Sequence, residues 1–120
     1  MTSVLVIEDN TDIRENICEL LVLEGYTVLF ADNGATGIRL AKEKTPDIIF
    51  CDILMPEQDG YDVFRVLKQY AGTADIPFFF LSASVEKKSI QAGMDLGASG
   101  YIQKPFDPFE LFNAINKCLA

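Results

Sequence analysis

Five short apolar segments alternate with helical patterns along this chain, and that alternation constrains the fold more than any other feature. Each segment is rich in β-branched or aromatic residues, which favour strands. The five segments cover residues 4–7, 27–30, 48–51, 76–81 and 101–102. Between and after them, apolar residues recur at the spacing of an amphipathic helix. Strands that alternate with helices through short links predict an α/β fold, in which helices cover both faces of one doubly wound parallel sheet.

Length and composition agree with one domain of this kind. The 120 residues, 49% of them hydrophobic, are enough for one core and too few for two, so we expect a single domain over 1–120. A formal charge of -8 disfavours nucleic acid and anionic membranes as partners. The three widely spaced cysteines indicate reduced thiols, and neither a signal pattern nor a membrane-length apolar run occurs. These features predict a cytoplasmic protein.

The absence of histidine from the sequence excludes several kinds of chemistry. A Ser-His-Asp triad, a Cys-His pair, a His-ligated metal and a phosphohistidine carrier all need that side chain. The chain also lacks G-x-G-x-x-G and P-loop patterns, which argues against dinucleotide and nucleoside triphosphate binding. Any reaction must therefore use carboxylates, hydroxyls and lysine.

Acidic, hydroxyl and ammonium side chains follow four of the five predicted strands. Glu8 and Asp9 follow the first strand, Asp52 the third, Ser82 the fourth and Lys104 the fifth. Ligand sites of open α/β sheets form at the carboxyl ends of the strands, so these groups should converge on one edge. Three adjacent carboxylates repel one another, and a hard divalent cation is the usual way to keep them ionised. Magnesium (Mg²⁺) suits such a site because it also leaves room for phosphate oxygens.

Each of these residues alone could have a simpler structural role. Glu8 and Asp9 could belong to a helix cap, Asp52 could open a turn, Ser82 could cap a helix, and Lys104 could be a solvated surface lysine. Their joint occurrence favours a functional site. X-Pro bonds reach the cis isomer at low cost, and a cis bond after Lys104 would be one way to aim that lysine inward.

At these positions the sequence resembles the receiver domains of two-component response regulators, and the resemblance spans essentially the whole chain. The ordered set of motifs that carries it is VLVIED at 4–9, IIFCDILMP at 48–56, DG at 59–60, LSA at 81–83, GA at 97–98 and GYIQKPF at 100–106. The resemblance implies a flavodoxin-like five-stranded sheet in the order 2-1-3-4-5, flanked by five helices.

The resemblance also implies roles for the acidic residues. Asp52 would be the phosphoacceptor. Asp9 and Asp52 would ligate magnesium directly, Glu8 would act mainly through water, and the backbone carbonyl of Leu54 would be a further ligand. The protein would catalyse only its own phosphorylation and dephosphorylation at Asp52.

The remaining implied roles concern the phosphoryl group and the response to it. The Ser82 hydroxyl, the Ala83 backbone N–H and the Lys104 ammonium would bind phosphoryl oxygens, and Lys104 would contact a carboxylate when the phosphoryl group is absent. Ser82 and Tyr101 would form a switch that changes the surface of the fourth helix, fifth strand and fifth helix.

The implied phosphoryl donor is a sensor histidine kinase or a histidine phosphotransfer protein. The downstream protein target is not specified by the sequence, and homodimerisation on phosphorylation is left open. Two other functions compete with this interpretation. One is a receiver-like binding module that does not depend on phosphorylation. The other is a Mg²⁺-dependent phosphatase with an Asp nucleophile, which needs a second acid where this chain has Leu54.

Overall fold

A computed structural model describes residues 2–82, 91 and 94–119. Its regular elements alternate as expected: β1 (Ser3–Ile7), α1 (Thr11–Leu23), β2 (Thr27–Ala31), α2 (Gly34–Lys44), β3 (Ile48–Asp52), α3 (Gly60–Gln69), β4 (Phe78–Ser82), β5 (Gly100–Gln103) and the C-terminal helix (Pro108–Leu119). The predicted helix between β4 and β5 lies mostly outside the described residues, although Gln91, Met94 and Asp95 have helical backbone.

The five strands form one parallel sheet in the order β2-β1-β3-β4-β5. The predicted flavodoxin-like topology is therefore confirmed. The strand order reverses between β1 and β3, which is where open sheets of this class form their ligand crevice. The register pairs Ile7 with Cys51 and Asp52 with Leu81, so the carboxyl ends of β1, β3 and β4 lie almost level.

Two hydrophobic cores lie on opposite faces of the sheet. Val63, Phe64 and Leu67 of α3 and Ala41 of α2 pack on one face. The other face is covered by α1 and the C-terminal helix, through the buried side chains of Ile17, Leu21, Leu111, Ala114 and Ile115. Strands β3 and β4 are buried at all five of their positions. This two-sided burial explains why their sequences are continuously apolar instead of alternating.

The C-terminal helix begins at the cap that its sequence predicts. The Phe109 N–H donates to Asp107 Oδ1 at 2.9 Å, and the Asp107 N–H donates to Glu110 Oε2 at 3.2 Å. Such reciprocal capping satisfies amide groups that the first helical turn leaves unpaired. Gly25 and Gly97 have φ values of 91° and 100°, the left-handed conformation expected of glycines that follow helices. No helix of the described ranges is both long enough and apolar enough to span a bilayer.

Candidate functional site

Three carboxylates meet at the carboxyl ends of β1 and β3. One oxygen from each of Glu8, Asp9 and Asp52 lies within 4.8 Å of the others. Glu8 is fully buried and Asp52 is 6% exposed, whereas Asp9 is open to solvent. The convergence predicted from the strand ends is therefore present, with Glu8 and Asp52 buried and Asp9 exposed.

Lys104 reaches into this cluster from the segment after β5. Its Nζ donates to Glu8 Oε1 and lies 3.4 Å from Asp52 Oδ1. The side chain is only 13% exposed, so the ammonium group lies among the carboxylates and not in bulk water. The Lys104 N–H donates to the Ser82 carbonyl at 2.7 Å, and the Lys104–Pro105 bond is cis. Lys104 therefore offsets part of the negative charge of the buried acids.

Burial dominates the electrostatics of Glu8. It raises the pKa of this carboxyl from 4.5 to about 8; the adjacent Asp52 carboxyl adds to the shift and Lys104 opposes it. Glu8 Oε2 is buried, and no donor among the described residues reaches it. A buried carboxylate oxygen without a donor is unfavourable unless the group is protonated or a cation lies nearby. The orphaned oxygen and the three carboxylates fit a hard cation that prefers oxygen ligands, such as Mg²⁺.

Ser82 and Tyr101 lie on the strands next to the acidic cluster. Ser82 is 2% exposed at the end of β4, one position beyond Leu81, which pairs with Asp52. Tyr101 on β5 pairs with Phe80 and is half-buried against the core on the α3 side of the sheet. Because strand side chains alternate between faces, Ser82 lies on the same face as Phe80 and Tyr101. The two predicted switch residues thus occupy neighbouring strands on one face.

The other two predicted site residues are less fully described. Leu54 lies in the loop after β3 and its side chain is 69% exposed. Ala83 lies outside the described residues, so its expected contact with a phosphoryl group stays a prediction.

A groove opens beside Lys104, between α1 and the segment that follows β5. Its volume is about 590 Å³, and it is lined by Asp12, Ile13, Asn16, Lys104, Pro105 and Phe106. Of the predicted site residues, Lys104 lines this groove.

Two residues beside this cluster were given no role in the site from the sequence, although Gly60 belongs to one of the motifs named above. The Gly60 N–H donates to the Ile53 carbonyl at 2.9 Å, directly after Asp52. Arg14 Nη1 donates to the Glu8 carbonyl at 3.0 Å. The Asp-Gly pair at 59–60 carried a signal for Gly60, since glycine after a capping residue indicates a close backbone approach. An arginine in the second turn of a helix carries no comparable signal.

The doubly wound sheet, the acidic cluster and the lysine at its switch point match the features expected of a two-component receiver. The family model of the response regulator receiver domain matches residues 4–116, and the chain belongs to this family.

The chain is similar to longer regulators and to solved structures of response regulators. It is 36% identical to the response regulator SaeR of Staphylococcus aureus (strain USA300), over 99% of this chain and 51% of that protein. It is also 36% identical to the probable transcriptional regulator ycf29 of Pyropia yezoensis, over 97% of this chain and 52% of that one. The chain thus spans about half the length of these relatives.

Among solved structures, the chemotaxis protein CheY4 of Vibrio cholerae is 27% identical, with a TM-score of 0.93 and 99% of each chain covered. A response regulator receiver domain protein from Clostridium thermocellum is 30% identical, with a TM-score of 0.92 and coverage of 99% of this chain and 94% of that one.

Proposed function

We propose that residues 1–120 act as one cytoplasmic receiver domain in which Asp52 accepts a phosphoryl group from a phosphohistidine donor in a Mg²⁺-dependent reaction. The observation that carries this proposal is the convergence of Glu8, Asp9 and Asp52 at one edge of the sheet, where the Lys104 ammonium group contacts two of them, Glu8 and Asp52. A purely structural cluster would not need three acids, two of them buried.

Asp9 and Asp52 would hold the magnesium ion directly, with the Leu54 carbonyl as a further ligand. Glu8 would act through water, because Lys104 already engages its Oε1 atom. When bound, the ion would keep the carboxylates ionised and offset charge on the phosphoryl oxygens. The orphaned Glu8 Oε2 supports this proposal, since a cation or its water would satisfy that atom.

The chain's own residues would carry out the transfer. A lone pair on an Asp52 carboxylate oxygen forms the new bond to phosphorus, while the phosphorus–nitrogen bond of the donor breaks and its electrons return to the imidazole. Lys104 lies 3.4 Å from Asp52 Oδ1 and would pair with a phosphoryl oxygen. The Ser82 hydroxyl and the Ala83 amide would contact the other oxygens. Water attack on phosphorus would later break its bond to the Asp52 oxygen, which releases inorganic phosphate and the free carboxylate.

The donor would be a sensor histidine kinase or a histidine phosphotransfer protein. The groove beside Lys104 supports this choice, because Lys104 lines it and the Lys104 Nζ lies 3.4 Å from Asp52 Oδ1.

Phosphorylation would be transmitted through Ser82 and Tyr101. A Ser82 hydroxyl drawn toward the phosphoryl group would leave space behind it, which Tyr101 on the same face could fill. The surface of β5, the C-terminal helix and the helix predicted before β5 would then change and bind a downstream protein, or a second copy of this chain.

Intact-mass measurement tests the acceptor. Acetyl phosphate with Mg²⁺ should add one phosphoryl group to the wild-type protein and none to Asp52→Ala. Asp75→Ala, which removes an exposed aspartate from the turn before β4, is the matched control and should be labelled normally. Labelling of Asp52→Ala at the wild-type level would refute the acceptor. An unlabelled wild-type protein would favour the phosphorylation-independent binding module.

A further inference from the structure

We propose that Arg14 is a positioning residue that fixes the peptide between Glu8 and Asp9, and that the ring of Phe30 holds Arg14 in place. The expected effect of Arg14 on magnesium affinity rests on the proposed function above. The positioning itself can be tested in the metal-free protein.

Both backbone polar groups of Glu8 are fixed by neighbouring elements. The Glu8 N–H donates to the Ala31 carbonyl, at the end of β2, with an N–O distance of 3.0 Å. The Glu8 carbonyl accepts a hydrogen bond from Arg14 Nη1 at 3.0 Å. The bond from Arg14 crosses from helix α1 back to the end of strand β1, so it ties the start of the helix to the loop between them.

The carbonyl that Arg14 contacts belongs to the peptide that leads into Asp9. Rotation of this peptide would move the Asp9 carboxylate away from the buried carboxyls of Glu8 and Asp52. Asp9 is exposed, so packing around its side chain does not oppose that rotation. A hydrogen bond from a charged donor is stronger than one between neutral groups and resists that rotation. Arg14 thus acts on the geometry of the cluster without belonging to it.

Phe30 is an exposed aromatic residue whose ring lies beside the Arg14 guanidinium group. Its side chain is 61% exposed on the edge strand β2, and the Arg14 guanidinium carbon lies 5.9 Å from its ring centroid. A planar guanidinium can stack on an aromatic face and still donate hydrogen bonds from its edge, which an ammonium group cannot do in the same way. This contact limits the rotamers of Arg14 to those that reach the Glu8 carbonyl.

The first experiment follows amide hydrogen exchange by NMR in the metal-free protein. Arg14→Gln should increase exchange several-fold at Glu8, Asp9 and Asn10 and leave the centre of β3 and β4 unchanged. Arg39→Gln is the matched control, because Arg39 forms an exposed 3.5 Å ion pair with Glu43 on α2. Unaltered exchange and chemical shifts at residues 8–10 in Arg14→Gln would overturn the proposal.

A magnesium titration and a double-mutant cycle extend the test. Arg14→Gln should weaken magnesium binding by about tenfold, as expected for a group that orients a metal ligand. Phe30→Leu should weaken it less in the wild-type background and have no further effect in Arg14→Gln, since Phe30 acts through Arg14. Equal effects of Phe30→Leu in both backgrounds would refute the role of the ring.

Failure of the proposed function and failure of the Arg14 proposal give different results. A general loss of stability in the Arg14 variant can also be recognised. A wild-type protein that does not bind magnesium would refute the proposed function, while the exchange measurement would still decide the role of Arg14. If Arg14→Gln increases exchange throughout the sheet, Arg14→Lys becomes the deciding variant because it retains the charge. A change in Arg14→Lys confined to residues 8–10 supports positioning, and a uniform change overturns it.

Discussion

A Cβ atom at position 60 would lie 2.5 Å from the backbone oxygen of Asp52, so Gly60 allows α3 to begin directly against the residue proposed to be the phosphoacceptor. The same Cβ atom would lie 2.9 Å from the Ile53 Cα, and both neighbours are backbone atoms. Displacing backbone that is hydrogen-bonded on both sides costs more free energy than displacing the end of a flexible side chain. The Ile53 N–H donates to Leu81 and its carbonyl accepts from Gly60.

Gly60→Ala should therefore displace the Asp52 carboxylate. We expect phosphorylation by acetyl phosphate to slow by roughly 10- to 100-fold and the free energy of unfolding to fall by about 1–3 kcal/mol. Intact-mass kinetics and urea unfolding measure the two effects. Gly72→Ala is the control, because the three atoms nearest to its Cβ atom would belong to the Tyr70 ring, the closest at 3.1 Å, and not to backbone. A wild-type phosphorylation rate in Gly60→Ala would show that the close contact does not position Asp52.

Magnesium should stabilise the wild-type fold, because the ion relieves repulsion among Glu8, Asp9 and Asp52 in the native state only. At ten times its dissociation constant, which we expect to be in the millimolar range, a ligand of the native state adds about 1.4 kcal/mol. Thermal melting with increasing MgCl₂, against NaCl at equal ionic strength, measures the shift. Asp9→Asn should lose most of it. An equal shift in that variant would place the ion elsewhere.

The raised pKa of Glu8 predicts a pH dependence of stability in the metal-free protein. Because the folded-state value of about 8 exceeds the ordinary 4.5, protonation of Glu8 favours the native state. This contribution is complete below pH 4.5 and is lost as the pH rises through about 8. Glu8→Gln, which stays neutral, should therefore gain stability relative to wild type between pH 5 and pH 9. Urea unfolding in EDTA measures the difference, and a constant difference would contradict the prediction.

The proposed switch predicts where the structure responds to a phosphoryl group. Beryllofluoride with Mg²⁺, a phosphoryl mimic, should change NMR amide shifts mainly in residues 82–106, while the surface of α2 changes little. Ser82→Ala should reduce the response at Tyr101, because the variant lacks the hydroxyl that would move. A full response in Ser82→Ala, or shifts confined to Glu8, Asp9 and the loop after Asp52, would contradict this coupling.

The sequence predicts the main features of this fold because each depends on local pattern. In a parallel sheet the carboxyl ends of all strands meet at one edge, so Asp52, Ser82 and Lys104 could be brought together from strand order alone. The fourth strand is less well predicted. It begins at Phe78 and not at Ile76, because the Ile76 N–H belongs to a turn that bonds to Thr73 and Pro77 has no N–H to donate.

Other parts of the site could not be predicted, because they depend on how separate elements pack. The Arg14 contact requires a particular rotamer across the loop that joins β1 to α1, and the Phe30 ring approaches it from another strand. The raised pKa of Glu8 depends on complete burial, which nothing in an acidic Glu-Asp pair at a strand end reveals.

The pair of Glu8 and Lys104 joins residues that are 96 positions apart. During synthesis, β1 leaves the ribosome long before the lysine that compensates its buried acid. A nascent chain that stops short of β5 would hold an uncompensated carboxyl in its interior, and it would lack the cation proposed to receive the phosphoryl group. If Asp52 accepts a phosphoryl group as proposed, that ability should therefore arise only once the segment after the last strand has docked.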